Sequence, residues 1–154
     1  MTPDQYPNFM RAALMEANQA FELGEVPVGA VVVRDNTIIA RAGNRRQEHA
    51  DPSGHAEILA MRSAGALLSD WRLEDCTLYV TLEPCPMCTA AARQARLQML
   101  VWGASDPRAG ACGSVFDLAG DTRLGRPLTH RGGLEADACG DLLRTFFAKQ
   151  RQSS

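Results

Sequence analysis

Lysine is almost absent from this chain: of 16 basic side chains, 15 are arginine and only Lys149 is lysine. Arginine suits phosphate forks and stacking on bases, although a GC-rich coding sequence gives the same ratio and is the simpler cause. A strong charge of either sign is also lacking. The net charge of −2 argues against general affinity for nucleic acid. No apolar run is long enough to cross a bilayer. Met1-Thr2-Pro3-Asp4-Gln5 lacks a basic segment followed by an apolar one, so no secretory signal is expected. Five cysteines make an odd number, which fits a reducing, cytoplasmic setting without structural disulfides. Internal repeats, linkers and low-complexity segments are missing too. With 154 residues and 45% hydrophobic content, the chain is expected to form one domain, 1–154, around its own core.

The small net charge hides an asymmetry. Residues 1–85 carry 7 basic and 12 acidic side chains, and residues 86–154 carry 9 basic and 6 acidic. A positive half facing an RNA backbone and an acidic half facing solvent would be consistent with that split.

What the chain does have is His55-Ala56-Glu57, followed by Pro84-Cys85-Pro86-Met87-Cys88. A histidine and two cysteines can hold one zinc ion and leave a coordination position for water, which is the arrangement of a catalytic metal. Cys85 and Cys88 are three apart, so a helix start places both sulfurs on one side. The flanking Pro84 and Pro86 suit the first turn of a helix, where an amide hydrogen is dispensable. The positive end of that helix favours thiolate, the form that binds metal. Glu57 lies in the otherwise apolar stretch Ala56–Met61. A lone acid on a buried helix is costly unless it has a partner or a task. Beside activated water it has a task, to accept a proton and hand it on.

Other readings of the same residues stay open. A structural zinc would take a fourth ligand from Cys76, Cys112, Cys139, His49 or His130. A strand followed by Cys-x-x-Cys also describes a redox pair, which leaves His55 and Glu57 without a role. Buried cysteines can also be plain small hydrophobes, the role expected of Cys76, Cys112 and Cys139.

Periodicity supplies the elements. Phe9, Met10, Ala13, Leu14, Ala17, Ala20 and Phe21 mark a helix, with Asp4 or Asn8 as cap and Gly24 as stop. Residues 29–33 and 37–40 form a hairpin about Asp35-Asn36. The polar stretch 44–53 leads to a helix from about Gly54, with His55 in its first turn. Residues 77–82 and 99–103 are strands, 121–133 mostly loop, and Leu134 to Arg151 a final helix. The order β-β-α-β-α-β implies two right-handed crossovers with both helices on one face. Their N-termini then share one end of the sheet, which brings together His55 and Cys85, 30 residues apart in the chain.

Several stretches resemble the bacterial tRNA-specific adenosine deaminases of the cytidine deaminase superfamily. They are Glu25–Val32, Asn44-Arg45, Asp51–Ile58, Leu78–Cys88, Gly103–Asp106, Gly110–Ser114 and Phe146-Phe147. The resemblance implies an α/β fold, a three-layer α/β/α sandwich around a mixed five-stranded sheet. It implies a homodimer with one zinc ion per subunit, held by His55, Cys85 and Cys88, with Glu57 as proton shuttle. The implied substrate is the wobble adenosine of a tRNA anticodon stem-loop, converted to inosine. Asn44 would hydrogen-bond the flipped base, Val28 and Ala56 would shape its pocket, and Asp106 would approach the neighbouring sugar. Phe146, Phe147 and Arg151 would meet the RNA from the last helix, with one phenylalanine inside and one outward. The short tail Lys149–Ser154 departs from the basic tails of many relatives. A deaminase of a free purine or pyrimidine is the alternative on the same scaffold, and a non-catalytic zinc-stabilised RNA-binding module is a third reading.

Overall fold

Alternation along the central strands sorts the core into two layers. The computed structural model describes residues 6–153. Its elements run α1 (Tyr6–Glu22), β1 (Gly29–Arg34), β2 (Thr37–Gly43), α2 (Ala56–Leu68), β3 (Cys76–Leu82), α3 (Pro86–Gln94), β4 (Met99–Ala104), β5 (His130–Arg131) and α4 (Ala136–Ser153). Side chains of a strand alternate between faces. Ala30, Val32, Leu78, Val80, Leu100 and Trp102 meet Ala56, Ala60, Ala64 and Ala92 of α2 and α3. Val31, Val33, Tyr79 and Val101 meet Met10, Ala13 and Cys139 of α1 and α4. Every position from Ala30 to Val33 is buried, which is why β1 reads as a continuous apolar run. The outcome is the expected three-layer α/β/α sandwich.

The sheet order is β2-β1-β3-β4-β5. β1 pairs antiparallel with β2 and β3, whereas β3–β4 and β4–β5 are parallel. The hairpin turns on Asp35 and Asn36, whose φ angles of 51° and 58° are those of a tight two-residue turn. α1 lies very close to β1. A Cβ on Gly29 would fall 2.0 Å from the Ala13 carbonyl oxygen, so only glycine permits that approach.

Three expectations change. The helix α1 already includes Tyr6, so Asn8 lies inside it rather than capping it, while Asp4 lies outside the described residues. The stretch 121–133 contains a fifth strand. His130 and Arg131 pair with Leu100 and Val101, held by backbone bonding and not by any periodic pattern. The helix expected from Gly54 begins at Ala56, and His55 is its N-cap, with extended backbone (φ −79°, ψ 146°).

Candidate metal centre and substrate rim

α2 and α3 both follow strands of the same direction and start at the same end of the sheet. β2 runs antiparallel to β1, and so does β3. His55 caps α2 and Cys85 caps α3, each with extended backbone and no side-chain cap bond of its own. Pro86 occupies the first turn of α3, where its missing amide costs nothing. Two helix ends that leave their cap side chains uncommitted can aim them at a common point.

His55 Nδ1 lies 3.7 Å from Cys85 Sγ and 3.4 Å from Cys88 Sγ. The three ligand atoms all lie within 4.8 Å of one another. A tetrahedral ion with bonds of about 2.3 Å to sulfur and about 2.05 Å to nitrogen separates S from N by about 3.6 Å. The residues present therefore fit such an ion. Among the described residues no fourth His, Cys, Asp or Glu joins the group. Cys76, Cys112 and Cys139 are buried thiols elsewhere. Burial pushes Cys112 and Cys139 up to about 12, so they are inert.

The cluster polarises itself. Cys85 is lowered to about 4, first by a hydrogen bond from Cys88 and then by one from His55. His55 is raised, chiefly by its bond to Cys85. Cys88 is raised, because its thiol donates to Cys85 and because it is buried. Glu57 is only 4% exposed. Burial raises its carboxyl above the ordinary range, against the pull of His55 and of a bond with Cys88.

The substrate residues expected from sequence do not all stand in one place. Asn44 is buried, and its Oδ1 accepts the amide of Ala56 at 2.8 Å. It therefore caps α2 from a distance, and only its NH2 remains as a donor toward a base. Val28 and Ala56 are buried between the sheet and α2. Phe146 is buried at 6% exposure and Phe147 is exposed at 39%, the division that helical geometry demands of neighbours. Both line a cavity of about 480 Å³ with Asn44, Val26, Asp51 and Pro52. Arg151 is exposed in the last turn of α4. Asp106 lies in the loop after β4, with its amide donated to Glu83. Its Oδ1 accepts the amides of Arg108 and Ala109 at 2.9 and 3.3 Å, which closes a tight loop.

Part of the basic half is engaged within the protein itself. Arg93 donates to the carbonyls of Leu118, Ala119, Asp121 and Arg126. Arg96, Arg123 and Arg144 pair with Glu74, Asp121 and Asp141. Neighbouring carboxylates thus offset the positive charge at three of these arginines.

Sequence reasoning passed over two buried carboxylates. Glu25 accepts the amides of Gln47 and Glu48 at 3.2 and 2.9 Å and so holds the loop before His55. Glu83 accepts the amides of Asp106, Cys112 and Ser114 and the hydroxyl of Ser114. Burial pushes Glu83 up, but these bonds outweigh it and leave the carboxyl below its ordinary value. The cue that marks Glu57 also marks Glu83, an acid directly after the apolar strand β3.

Comparison with known proteins agrees with this geometry. Residues 5–131 match the family of MafB19-like deaminases. A tRNA-specific adenosine deaminase of Bacillus subtilis (strain 168) is 42% identical over 152 residues, covering 99% of this chain and 93% of that protein. A structure from a study of A-to-I editing by tRNA:A34 deaminases at the wobble position superposes with a TM-score of 0.86. Its identity is 43%, over 88% of this chain and 99% of the other. A guanine deaminase from Nitrosomonas europaea superposes with a TM-score of 0.82 at 26% identity, over 93% and 85% of the two chains. The chain belongs to the MafB19-like deaminases and, within them, to the family of bacterial tRNA-specific adenosine deaminases.

Proposed function

We propose that this protein is a zinc-dependent hydrolase that converts the wobble adenosine of a tRNA anticodon loop to inosine. The observation that carries the reading is Glu57, a buried acid beside a His-Cys-Cys cluster in which no fourth protein ligand takes part among the described residues. His55, Cys85 and Cys88 would hold one zinc ion per subunit. Bound there, the ion supplies Lewis-acid activation of water.

Glu57 handles the protons. Its carboxylate takes one from the attacking water and delivers it to N1 of the adenine ring as oxygen adds at C6. The second water proton leaves with the exocyclic nitrogen, so that adenosine and water give inosine and ammonia. Burial favours the protonated form of Glu57 and so equips it to return the proton it has taken. Asn44 offers its NH2 to the base while its carbonyl caps the helix that carries Glu57. Phe147, exposed beside the cavity, stacks on a neighbouring base, while Phe146 supports it edge-on at a centroid distance of 5.4 Å. Arg151 meets the backbone, and Asp106 the adjoining sugar. A single-stranded loop suits this pocket, because extruding its base breaks no duplex.

A homodimer in the cytoplasm completes the reading. No helix among the described residues is long and apolar enough to cross a membrane. Trp71 stands exposed at a cavity of about 650 Å³ lined by Ile58 and Met61 of α2 and by Ala91 and Ala95 at α3, which supports a second copy there.

The test is the product formed by the purified protein. Inosine at the anticodon of an adenosine-containing stem-loop supports the proposal. Ammonia released only from free guanine or cytosine would replace it with the free-base alternative, the chemistry of the Nitrosomonas neighbour.

A further inference from the structure

Glu83 directly follows β3, immediately before Pro84-Cys85, and is 1% exposed. Its Oε1 accepts the Asp106 amide at 3.0 Å and the Ser114 hydroxyl. Its Oε2 accepts the amides of Cys112 and Ser114 at 3.0 and 3.1 Å. All four donors belong to one loop. Gly110 of that loop lies against the carboxylate, where a Cβ would fall 2.4 Å from Glu83 Cδ. The main chain continues the clamp. Glu83 N donates to Ala104 O at 2.8 Å, and Ala111 N donates to Pro84 O at 2.8 Å.

Burying a carboxylate is expensive, and four hydrogen bonds are what make it tolerable. A plain hydrophobic contact would close this end of the sheet as well. What the carboxylate adds is a fixed position for the loop. The loop carries Asp106 on one side and the exposed Val115 and Phe116 at its tip. It also adjoins the ligand helix, since Cys112 Sγ lies 3.6 Å from Thr89 Oγ1.

We propose that Glu83 is a positioning residue for the deamination: it touches no substrate, but its four bonds to residues 106–114 hold Asp106 and the apolar tip at the rim of the cluster. The inference rests on the reading of the chain as an RNA adenosine deaminase.

Glu83→Gln tests it. The substitution keeps the length but turns an NH2 toward amides that need an acceptor. A misplacement of the order of 1 Å costs roughly 100-fold in kcat/KM, and it falls on KM where the displaced groups hold substrate remote from the reacting atoms. The expected result is kcat/KM on an anticodon stem-loop lowered about 100-fold, carried by KM, with kcat within about threefold of wild type. Zinc per folded chain stays at the wild-type level. Ser114→Ala, which removes one donor, raises KM less, and the double variant loses less than the product of the two effects. An unchanged KM in folded, metal-loaded Glu83→Gln would overturn the proposal. So would a loss that tracks released zinc, which would make Glu83 a support for Cys85 alone. If Glu83→Gln does not fold, Ser114→Ala decides, and an unaltered KM there sinks the idea. A wild-type protein inactive on RNA refutes the substrate reading and takes this inference down with it, whereas an active wild type beside an equally active Glu83→Gln refutes this inference alone.

Discussion

Replacing Glu57 by glutamine separates chemistry from metal binding in one preparation. The side chain keeps its size and its place on α2, and it loses the ability to take up a proton. General acid–base catalysis contributes about 10²–10⁴ in rate, or roughly 2.7–5.4 kcal/mol of barrier. Turnover on an anticodon stem-loop should fall by that factor. Metal content should not change, because Glu57 stands outside the group of ligand atoms. A second consequence concerns the metal-stripped protein. Burial raises the Glu57 carboxyl above its ordinary 4.5, so the folded state holds its proton more firmly than the unfolded chain does. The stability this contributes is fully present below pH 4.5 and is lost as pH rises through the folded value. Glutamine has no such loss. The metal-stripped variant should therefore melt at or above the metal-stripped wild type at pH 8, with the gap closing toward pH 4. Turnover within a few-fold of wild type would refute the proton role. Loss of zinc along with turnover would make Glu57 part of the coordination instead.

Four further predictions follow from the same geometry. His55→Ala or Cys88→Ala should release the metal and abolish turnover, while Cys112→Ala and Cys139→Ala retain both, as metal analysis and rate assays will read. Asn44→Ala should lose a helix cap worth about 0.5–2 kcal/mol and lower the melting temperature. Asn44→Asp keeps the acceptor for Ala56, so it should spare stability yet raise KM, because the NH2 is gone. Phe146→Ala should cost about 3–5 kcal/mol of stability as a buried aromatic. Phe147→Ala should leave the fold intact and weaken RNA binding by about 1–3 kcal/mol, measured by titration with a stem-loop. Metal uptake by the stripped protein should release protons, since Cys88 is held as a thiol and His55 is raised while both must bind deprotonated. A weakly buffered solution should acidify on adding zinc, and affinity should rise with pH.

The His-Cys-Cys cluster was legible because its residue types are unusual in combination. His55, Glu57, Cys85 and Cys88 stand out against apolar surroundings, and right-handed crossovers require the two helix starts to meet. β1, β3 and β4 showed as apolar runs because they are buried on both faces. β5 did not show, since His130 and Arg131 pair through main-chain groups that carry no side-chain pattern. The cap of α2 was hidden for a related reason. His55 leaves it open, and Asn44, twelve residues upstream, fills it. Likewise the partners of Glu83 lie 23 to 31 residues away, so its cluster of bonds exists only in three dimensions.

The bond from Asn44 to Ala56 also limits how such an enzyme can change its diet. The side chain expected to read the base is bonded to the start of the helix that carries Glu57, the proposed proton carrier. Swapping it for a side chain without an acceptor oxygen would loosen the start of the helix that carries Glu57 at the same stroke. New specificity is easier to evolve, or to engineer, at the exposed tip of the loop after β4, where Val115 and Phe116 bond to neither.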